Sequence, residues 1–506
     1  MQAPSTEEAS PSCVTDGLSS DMRVHPDRLV THADGPPRRD ARYVLYWMQA
    51  AQRPSDNPAL DCAVEWANDL GLPVLVVFGL MADYPGANIR HYRFMLEGLA
   101  QTAARLTEKG LGFRLRRGSP PEVAAAYAGE AAIAVTDGAY LRHTREWRAR
   151  FAMDAGCPVY EVDSELVVPV RRASDKREFA ARTIRPKLHR TVDEFLTEPL
   201  NVRVAVRWPG DGVRLQADTG LERREAPPDA FHTESDLQDL DRLVETLPVD
   251  RTVHAVTRLY PGGPDHARSR FEAFLDDRLV YYSDNRNQPH TDDSSGMSMH
   301  LQFGQVSAVR LILEAKKHLD SYGPEVREQY EDFFEELLVR RELAYNYCFY
   351  EPEYDSYAAL PDWARQTLSA HAHDERTPLY SLEELEASKT DDEYWNAANT
   401  EMRETGYMHN YMRMYWGKQV IRWSPTPEEA FRRVLYMNNR YFLDGRNPAS
   451  YANCAWIFGL HDRPWTERDI FGKVRIMVPA GLKRKCDMAA YREKVDRLVR
   501  FMNGSV

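Results

Sequence analysis

The stretch "YVLYWMQAAQRPSDNPALDCAVEWANDLGLPVLVVF", residues 43–78, sets two β-rich runs on either side of one helical pattern. "YVLYWM" (43–48) and "VLVVF" (74–78) are short, almost wholly apolar and rich in β-branched or aromatic residues, as buried strands are. Between them "NPALDCAVEWANDLG" (57–71) carries apolar residues at helical spacing, with Pro58 and Gly71 at its joints. The unit repeats outward. "FRLRR" (113–117), "AIAVTD" (132–137) and "PVYEV" (158–162) alternate with helical patterns over 88–110, 120–129 and 141–156. This predicts an α/β fold over 41–170, a Rossmann-like doubly wound parallel sheet. No G-x-G-x-x-G or G-x-x-x-x-G-K-[ST] follows any of these runs, so a dinucleotide need not sit on the usual phosphate loop.

Residues 171–240 read as an interdomain linker. Its second half, 207–240, is rich in Pro, Gly and charge and has little periodicity. From 241 to 506 the patterns are helical almost throughout, which predicts an all-α C-terminal domain. Three capping boxes mark helix starts there: Ser381/Glu384, Thr390/Glu393 and Thr426/Glu429. Residues 1–40 have the Pro, Ser, Asp and Gly content of a disordered tail.

The 506 residues suffice for two or three domains. Six scattered cysteines without a C-x-x-C argue against a disulfide framework or structural zinc and fit a reducing compartment. The N-terminal forty residues lack a secretory h-region, and no apolar run reaches the roughly 18–20 residues that span a bilayer. The expectation is a soluble monomer, cytoplasmic or nucleoid-associated in a bacterium, with no membrane partner. A net charge of −12 speaks against a protein that coats nucleic acid. It leaves room for a local patch: ten Lys/Arg lie between Arg468 and Arg500, against four acidic residues after Glu467.

Half of the ten tryptophans fall between Trp395 and Trp465. In "YMRMYWGKQVIRW" (411–423), Trp416 and Trp423 are about two helical turns apart on one face. An aromatic-rich core explains that spacing by itself. "MNNRYFLDGRNPASYANCAWIFGLHDRPWTERDIFGKVR" (437–475) weakens the explanation, because so many amides and charges among aromatics need partners. A flat conjugated ligand with a phosphate tail would supply them. "TDDSSGMSMHLQFGQVS" (291–307) leads into a helix and offers hydroxyls and backbone N–H groups for phosphate. "HAH" (371–373) reads as solvated helix surface, and "EDFFEELL" (331–338) as an amphipathic helix face. No H-E-x-x-H or G-x-S-x-G supports a zincin or hydrolase, and no metal is expected.

Taken together the chain resembles the class II cyclobutane pyrimidine dimer photolyases of the photolyase/cryptochrome family, from about Arg42 onward. The resemblance rests on "WNAANTEMRETGYMHNYMRMYWGKQVIRW" (395–423), "YMNNRYFLDGRNPASYANCAWIFGLHDRPW" (436–465), "FGKVRIM" (471–477), "ASDKREFAARTIRPKLHR" (173–190) and "YWMQAAQRPSDNPAL" (46–60). It implies the photolyase fold, with a helical domain that holds U-shaped FAD. It also implies a lyase: light-excited reduced FAD passes an electron to a cyclobutane pyrimidine dimer in DNA, the ring splits, and the electron returns. An antenna chromophore of deazaflavin type is a further implied cofactor.

Residue roles follow from the same resemblance. Asn438 would face flavin N5, and Arg413 and Asp444 would flank the isoalloxazine. Tyr282, Ser295, Ser298 and Gln305 would lie on the FAD phosphate and ribose side. Trp395, Trp416 and Trp423 would relay electrons, with Tyr380 as an outer donor. The dimer would be flipped out of UV-damaged duplex, because chemistry on a base cannot reach its target inside the stack. Trp456 and Met414 would wall its pocket, Glu336 would hydrogen-bond a thymine, and Arg286 and Asn287 would enter the vacated gap. The basic C-terminal patch would contact phosphates. The chain departs from the family in reading "MSMHLQFGQ" for "LSPYLHFGQ", in Asn439 where Asp is usual, and in Arg340 near a second stacking Trp. The alternatives are a cryptochrome-like FAD photoreceptor without repair activity and a light-independent scaffold whose aromatics are only core.

Overall fold

The computed structural model describes residues 22–210, 215–218, 236–322 and 327–504. Six strands form one sheet: β1 (Leu29–Ala33), β2 (Tyr43–Trp47), β3 (Val74–Leu80), β4 (Gly112–Arg117), β5 (Ala131–Asp137) and β6 (Val159–Val162). Their order is β1-β6-β5-β2-β3-β4. All neighbours are parallel except β1, which runs antiparallel to β6. The five runs read as strands from sequence are β2 to β6. The sixth, "LVTHA", lies inside the stretch whose composition reads as a disordered tail. It forms because the exposed edge of β6 offers it a ladder, not because its own residues demand a strand. Residues 1–21, and most of the 207–240 connector, lie outside the described residues.

Side-chain alternation feeds both faces of the sheet. Val44 and Tyr46 pack with α1 (Pro58–Leu70) and α2 (Ile89–Lys109). Tyr43, Leu45 and Trp47 pack with α3 (Pro120–Ala128) and α4 (Arg142–Asp154). The strand order reverses between β2 and β5, and in open α/β sheets that switch point is where a crevice opens at the carboxyl ends. Asp137, at the end of β5, shapes it. One carboxylate oxygen accepts the N–H groups of Gln49, Ala50 and Ala51 at 2.9–3.0 Å, and the other accepts from Arg148 at 2.8 Å.

Helices follow from Ala181 onward, and the largest core cluster gathers around Trp395, Trp416 and Trp423. Buried arginines bolt them to the sheet. Arg90 of α2, with no exposed surface, donates to the carbonyls of His254, Met402, Tyr441 and Arg403. Arg53, just after β2, donates to the carbonyls of Ser164 and Gly304. No helix among the described residues is long and apolar enough to cross a membrane.

Two local readings change. The helix Glu393–Thr405 is capped by Asp392, whose Oδ1 accepts from Tyr394 N and Trp395 N, so Thr390 is not its cap. An aspartate one residue from the helix start outcompetes a threonine three residues away. His371 is not solvated helix surface. It lies past the end of the helix Asp362–Ala370, between Asp374 at 2.5 Å and Glu467 at 3.1 Å. The hydrogen bond to Asp374 raises its pKa.

Candidate functional site

Three clusters stand out in the helical region. The first is aromatic. Trp395 lies on the helix Glu393–Thr405, and Trp416 and Trp423 on the helix Asn410–Trp423. The rings of Trp416 and Trp395 are stacked, with centroids 6.5 Å apart and planes within 8°. Trp395 meets Trp423 edge-on at 5.5 Å, and Trp423 meets Tyr380 edge-on at 5.2 Å. The order Trp416, Trp395, Trp423, Tyr380 runs from the buried core to a partly exposed phenol. Two hydrogen bonds lock the indoles: Trp395 Nε1–H donates to Trp416 O, and Trp416 Nε1–H to Asn399 Oδ1.

The second cluster is polar and adjoins the inner end of that chain. Trp416 touches Phe442 edge-on, and the Arg413 guanidinium lies 3.9 Å above the Phe442 ring. Arg413 forms a bidentate pair with Asp444, both bonds 3.0 Å. Burial opposes its charge, yet Asp444 holds its pKa above the ordinary value. Asn438, near the end of the helix Pro427–Tyr441, donates its amide to Ser450 Oγ and Asn439 Oδ1.

The turn before the short helix Ser298–Gln302 adds a polar cradle. Ser295 Oγ accepts from Met297 N, and Ser298 is exposed. Gly296 sits at φ +64°, where a Cβ would come within 2.4 Å of Arg270 Nε. That nitrogen is buried without a hydrogen-bond partner. A partnerless guanidinium nitrogen behind a Ser/Gly turn suits a phosphate oxygen. Together with the Arg413–Asp444 pair and the Asn438 amide, the donors present fit a flavin nucleotide. Sequence reading missed Arg270, which is 26 residues upstream of Gly296 in an ordinary amphipathic helix.

The third cluster is a mouth. The helix Arg327–Phe334 runs into a π-helical turn, Glu335–Arg340, a feature often found at functional sites. Glu336 on this turn accepts from Arg286 at 2.9 Å, and Arg286 also pairs with Asp332 at 3.3 Å. Burial raises the Glu336 pKa, while Arg286 and Arg340 pull it back. The Arg340 guanidinium lies 5.7 Å from the ring of half-buried Trp456, and Met414 is half-buried at the edge of the main core. The opposite side of Trp456 is therefore occupied by a cation rather than a second ring.

Two expected positions fall elsewhere. Gln305 is buried between the sheet and the helices. Its Oε1 accepts from Gly263 N and contacts His300 Nδ1, and its amide reaches the Phe94 carbonyl of α2. With both ends engaged it belongs to packing, not to the ligand side. Tyr282 stands in a phenyl cluster with Phe274 and Phe333, its phenol beside Glu336 and Arg286. It joins the mouth, and no hydrogen bond links it to Ser295 or Ser298. Asn287 is exposed beside Arg286.

A family model described as DNA photolyase matches residues 44–204. The deoxyribodipyrimidine photo-lyase of Methanothermobacter thermautotrophicus is 41% identical over 476 residues, 94% of this chain and 99% of that protein. The chain belongs to the DNA photolyase family. The photo-lyase of Arabidopsis thaliana is 37% identical, covering 95% of each chain, and that of Potorous tridactylus is 39% identical over 89% of this chain. The fold is also that of a class III photolyase from Agrobacterium tumefaciens (TM-score 0.64, 20% identity, 90% of this chain and 86% of that one). A Synechocystis cryptochrome shares it at TM-score 0.67 and 13% identity, over 92% of this chain and 89% of that one. The protein is thus a photolyase-family flavoprotein lyase of DNA repair.

This photolyase has a cavity at the switch point of the sheet. It encloses about 160 Å³ and is partly open to solvent. Tyr84, His143 and Trp147 form an edge-to-face aromatic group there, joined by Met81 and Met95. Gln52 and Gln302 line it too, each with a buried side-chain Oε1 that accepts no hydrogen bond. Gln302 is one of the departures in "MSMHLQFGQ". The structure places it on the cavity side of its short helix.

Of the basic C-terminal run, Lys483, Arg484 and Lys485 are exposed at the end of the helix Pro479–Lys485. Arg463 and Arg475 flank the exposed ring of Trp465 at 5.4 and 5.2 Å. Lys494 does not belong to the patch. It is buried.

Proposed function

We propose that this photolyase repairs cyclobutane pyrimidine dimers in DNA, using reduced FAD held against Asn438, Arg413, Asp444, Arg270 and the Ser295–Ser298 turn. The observation that carries the reading is the adjacency of clusters. A polar group suited to a flavin stands at the inner end of a tryptophan chain and shares the helix Asn410–Trp423 with the pocket wall at Met414. When bound, reduced and excited by light, FAD supplies the electron that splits the dimer and takes it back. The protein's own residues bind, orient and exclude water.

Trp456 and Met414 receive the extruded dimer on apolar surface, where ring stacking offsets the loss of base stacking. Glu336, whose pKa burial raises, is placed to hydrogen-bond a thymine. Arg286 and Asn287 stand at the rim where they can enter the gap in the duplex. Tyr380, Trp423, Trp395 and Trp416 supply electrons inward by hops between touching rings. The cavity at the sheet switch point takes an antenna chromophore of deazaflavin type. Its aromatic walls and two acceptor carbonyls at Gln52 and Gln302 suit a flat ring system with N–H or O–H donors.

Glu336 and Trp456, joined through Arg340, together with Met414 on the flavin-side helix Asn410–Trp423, favour repair over signalling alone. The test is light-dependent restoration of an oligonucleotide carrying one cyclobutane dimer by the purified, reduced protein, with a (6-4) photoproduct as control. Restoration of the cyclobutane dimer only is expected. No restoration of either lesion under light would overturn the reading.

A further inference from the structure

A buried lysine joins the proposed lesion rim to the proposed flavin cradle. Lys494 lies on the C-terminal helix Met488–Met502 and is 6% exposed. An ammonium carries three N–H donors, and this one has three acceptors. They are the Pro289 carbonyl at 3.1 Å, the Thr291 carbonyl at 3.0 Å and the Asp292 carboxylate at 2.7 Å. Around it, Gln288 Nε2 donates to the Lys485 carbonyl, and the Cys486 thiol donates to the Asn287 carbonyl. Residues 287–292 are therefore stapled to 485–494 at each end. Asn287 begins this segment, Arg286 of the mouth stands immediately upstream, and the Ser295–Gly296 turn beside Arg270 stands immediately downstream.

Behind Lys494 lies Glu401, buried on the helix Glu393–Thr405. It accepts from the Tyr491 hydroxyl and leaves one carboxylate oxygen without a hydrogen bond. Asp292 and Glu401 from two other elements thus face the ammonium and hold its charge. His409 and His290 lie in the same pocket of charge. Burial opposes the Glu401 charge and the Lys494 ammonium favours it, so removing the ammonium is costly.

We infer that Lys494 is a positioning residue for both ligands: its ammonium fixes the 287–296 segment so that lesion rim and flavin cradle are ordered together. The inference rests on the proposed function, and it adds that the two sites are coupled through one side chain. No contact of Lys494 with DNA or flavin is needed.

The test uses the full-length holoprotein. In Lys494→Met, affinity for a dimer-containing oligonucleotide should fall by about tenfold, because the lesion rim is no longer held in its binding geometry. Affinity for undamaged duplex should stay unchanged, since no surface charge is lost. Bound FAD should dissociate faster, and the visible circular dichroism of the flavin should weaken. Lys494→Arg should recover part of each effect. Ala489→Ser, on the exposed face of the same helix and without a charge, should change none of them. Should Lys494→Met fail to fold, Asp292→Asn, whose side chain is largely exposed, is expected to give the same pattern more weakly. Wild-type discrimination and wild-type flavin retention in the folded variants would overturn the inference. If the unmodified protein itself does not prefer dimer-containing DNA, the proposed function fails instead, and the flavin dichroism arm still decides the cradle half.

Discussion

Trp456 and Glu342 show two ways in which one side chain matters. Trp456 is half-buried with a guanidinium 5.7 Å from its ring, so it is already an aromatic platform with one face committed. Trp456→Ala should weaken binding of a dimer-containing oligonucleotide by about 1–3 kcal/mol, the worth of one stacking partner. Fluorescence anisotropy titration reads this, and unchanged affinity would remove Trp456 from the pocket. Glu342 is buried where the chain leaves the sheet. Its Oε1 accepts from Val167 N at 2.7 Å and Val168 N at 3.2 Å, while its Oε2 has no partner. Burial pushes its pKa up to about 8, against the pull of Arg341 and the two amides. The folded protein therefore holds this proton more tightly than the unfolded chain. The resulting stability is complete below the ordinary carboxyl value of 4.5 and is lost as pH rises through about 8. Glu342→Gln keeps the acceptor and removes the titration. Its melting temperature should gain on that of the wild type as pH rises across this window. Parallel pH profiles for the two proteins would refute the assignment.

At the scale of elements, the helices Glu393–Thr405 and Asn410–Trp423 bring three indoles into one chain, with Trp395 in the middle. That makes Trp395→Phe the sharpest cut, because Trp416 and Trp423 each lose the indole that connects them. Photoreduction of oxidised flavin should slow strongly in this variant, while chemically reduced protein repairs as before. Transient absorption and a repair assay on pre-reduced protein separate the two, and a parallel loss in both would sink the relay order. The residues of this chain were legible in the sequence through their match to family motifs. Their order was not, because Trp395 comes first of the three along the chain and yet stands between the other two in space. Spacing along one helix placed Trp416 and Trp423 on a common face and gave no hint that a second helix would insert its indole between them. Arg270 was missed, and Gln305 was set on the ligand side, for the converse reason. Whether a polar side chain is spent on packing or left free for a ligand depends on contacts made across the fold.

For the whole molecule, five parallel strands were readable because buried strands are apolar on both faces and alternate with helices. β1 was not, because an edge strand draws its stability from a neighbour it does not encode. The meeting of sheet and helices was likewise invisible in the pattern, yet it has a definite physical pivot at Gly304. This glycine has φ +59°, and a Cβ there would stand 1.9 Å from the Ala50 carbonyl oxygen and 2.7 Å from Ala51 Cα. Neither backbone atom can retreat easily, since the N–H groups of Ala50 and Ala51 are both held by the Asp137 carboxylate. The Gly304 carbonyl is itself held by Arg53. Gly304→Ala must therefore either strain the left-handed backbone or lever the helical part off the switch point of the sheet. The expected cost is about 2–4 kcal/mol, combining backbone strain with overpacking. Chemical denaturation followed by tryptophan fluorescence measures it. Since Gln302 and Phe303, just before Gly304, line the switch-point cavity, any ligand bound there should also be retained less well after gel filtration. A variant with an unchanged midpoint would mean that the close approach of Gly304 to Ala50 contributes nothing to how the two parts are held.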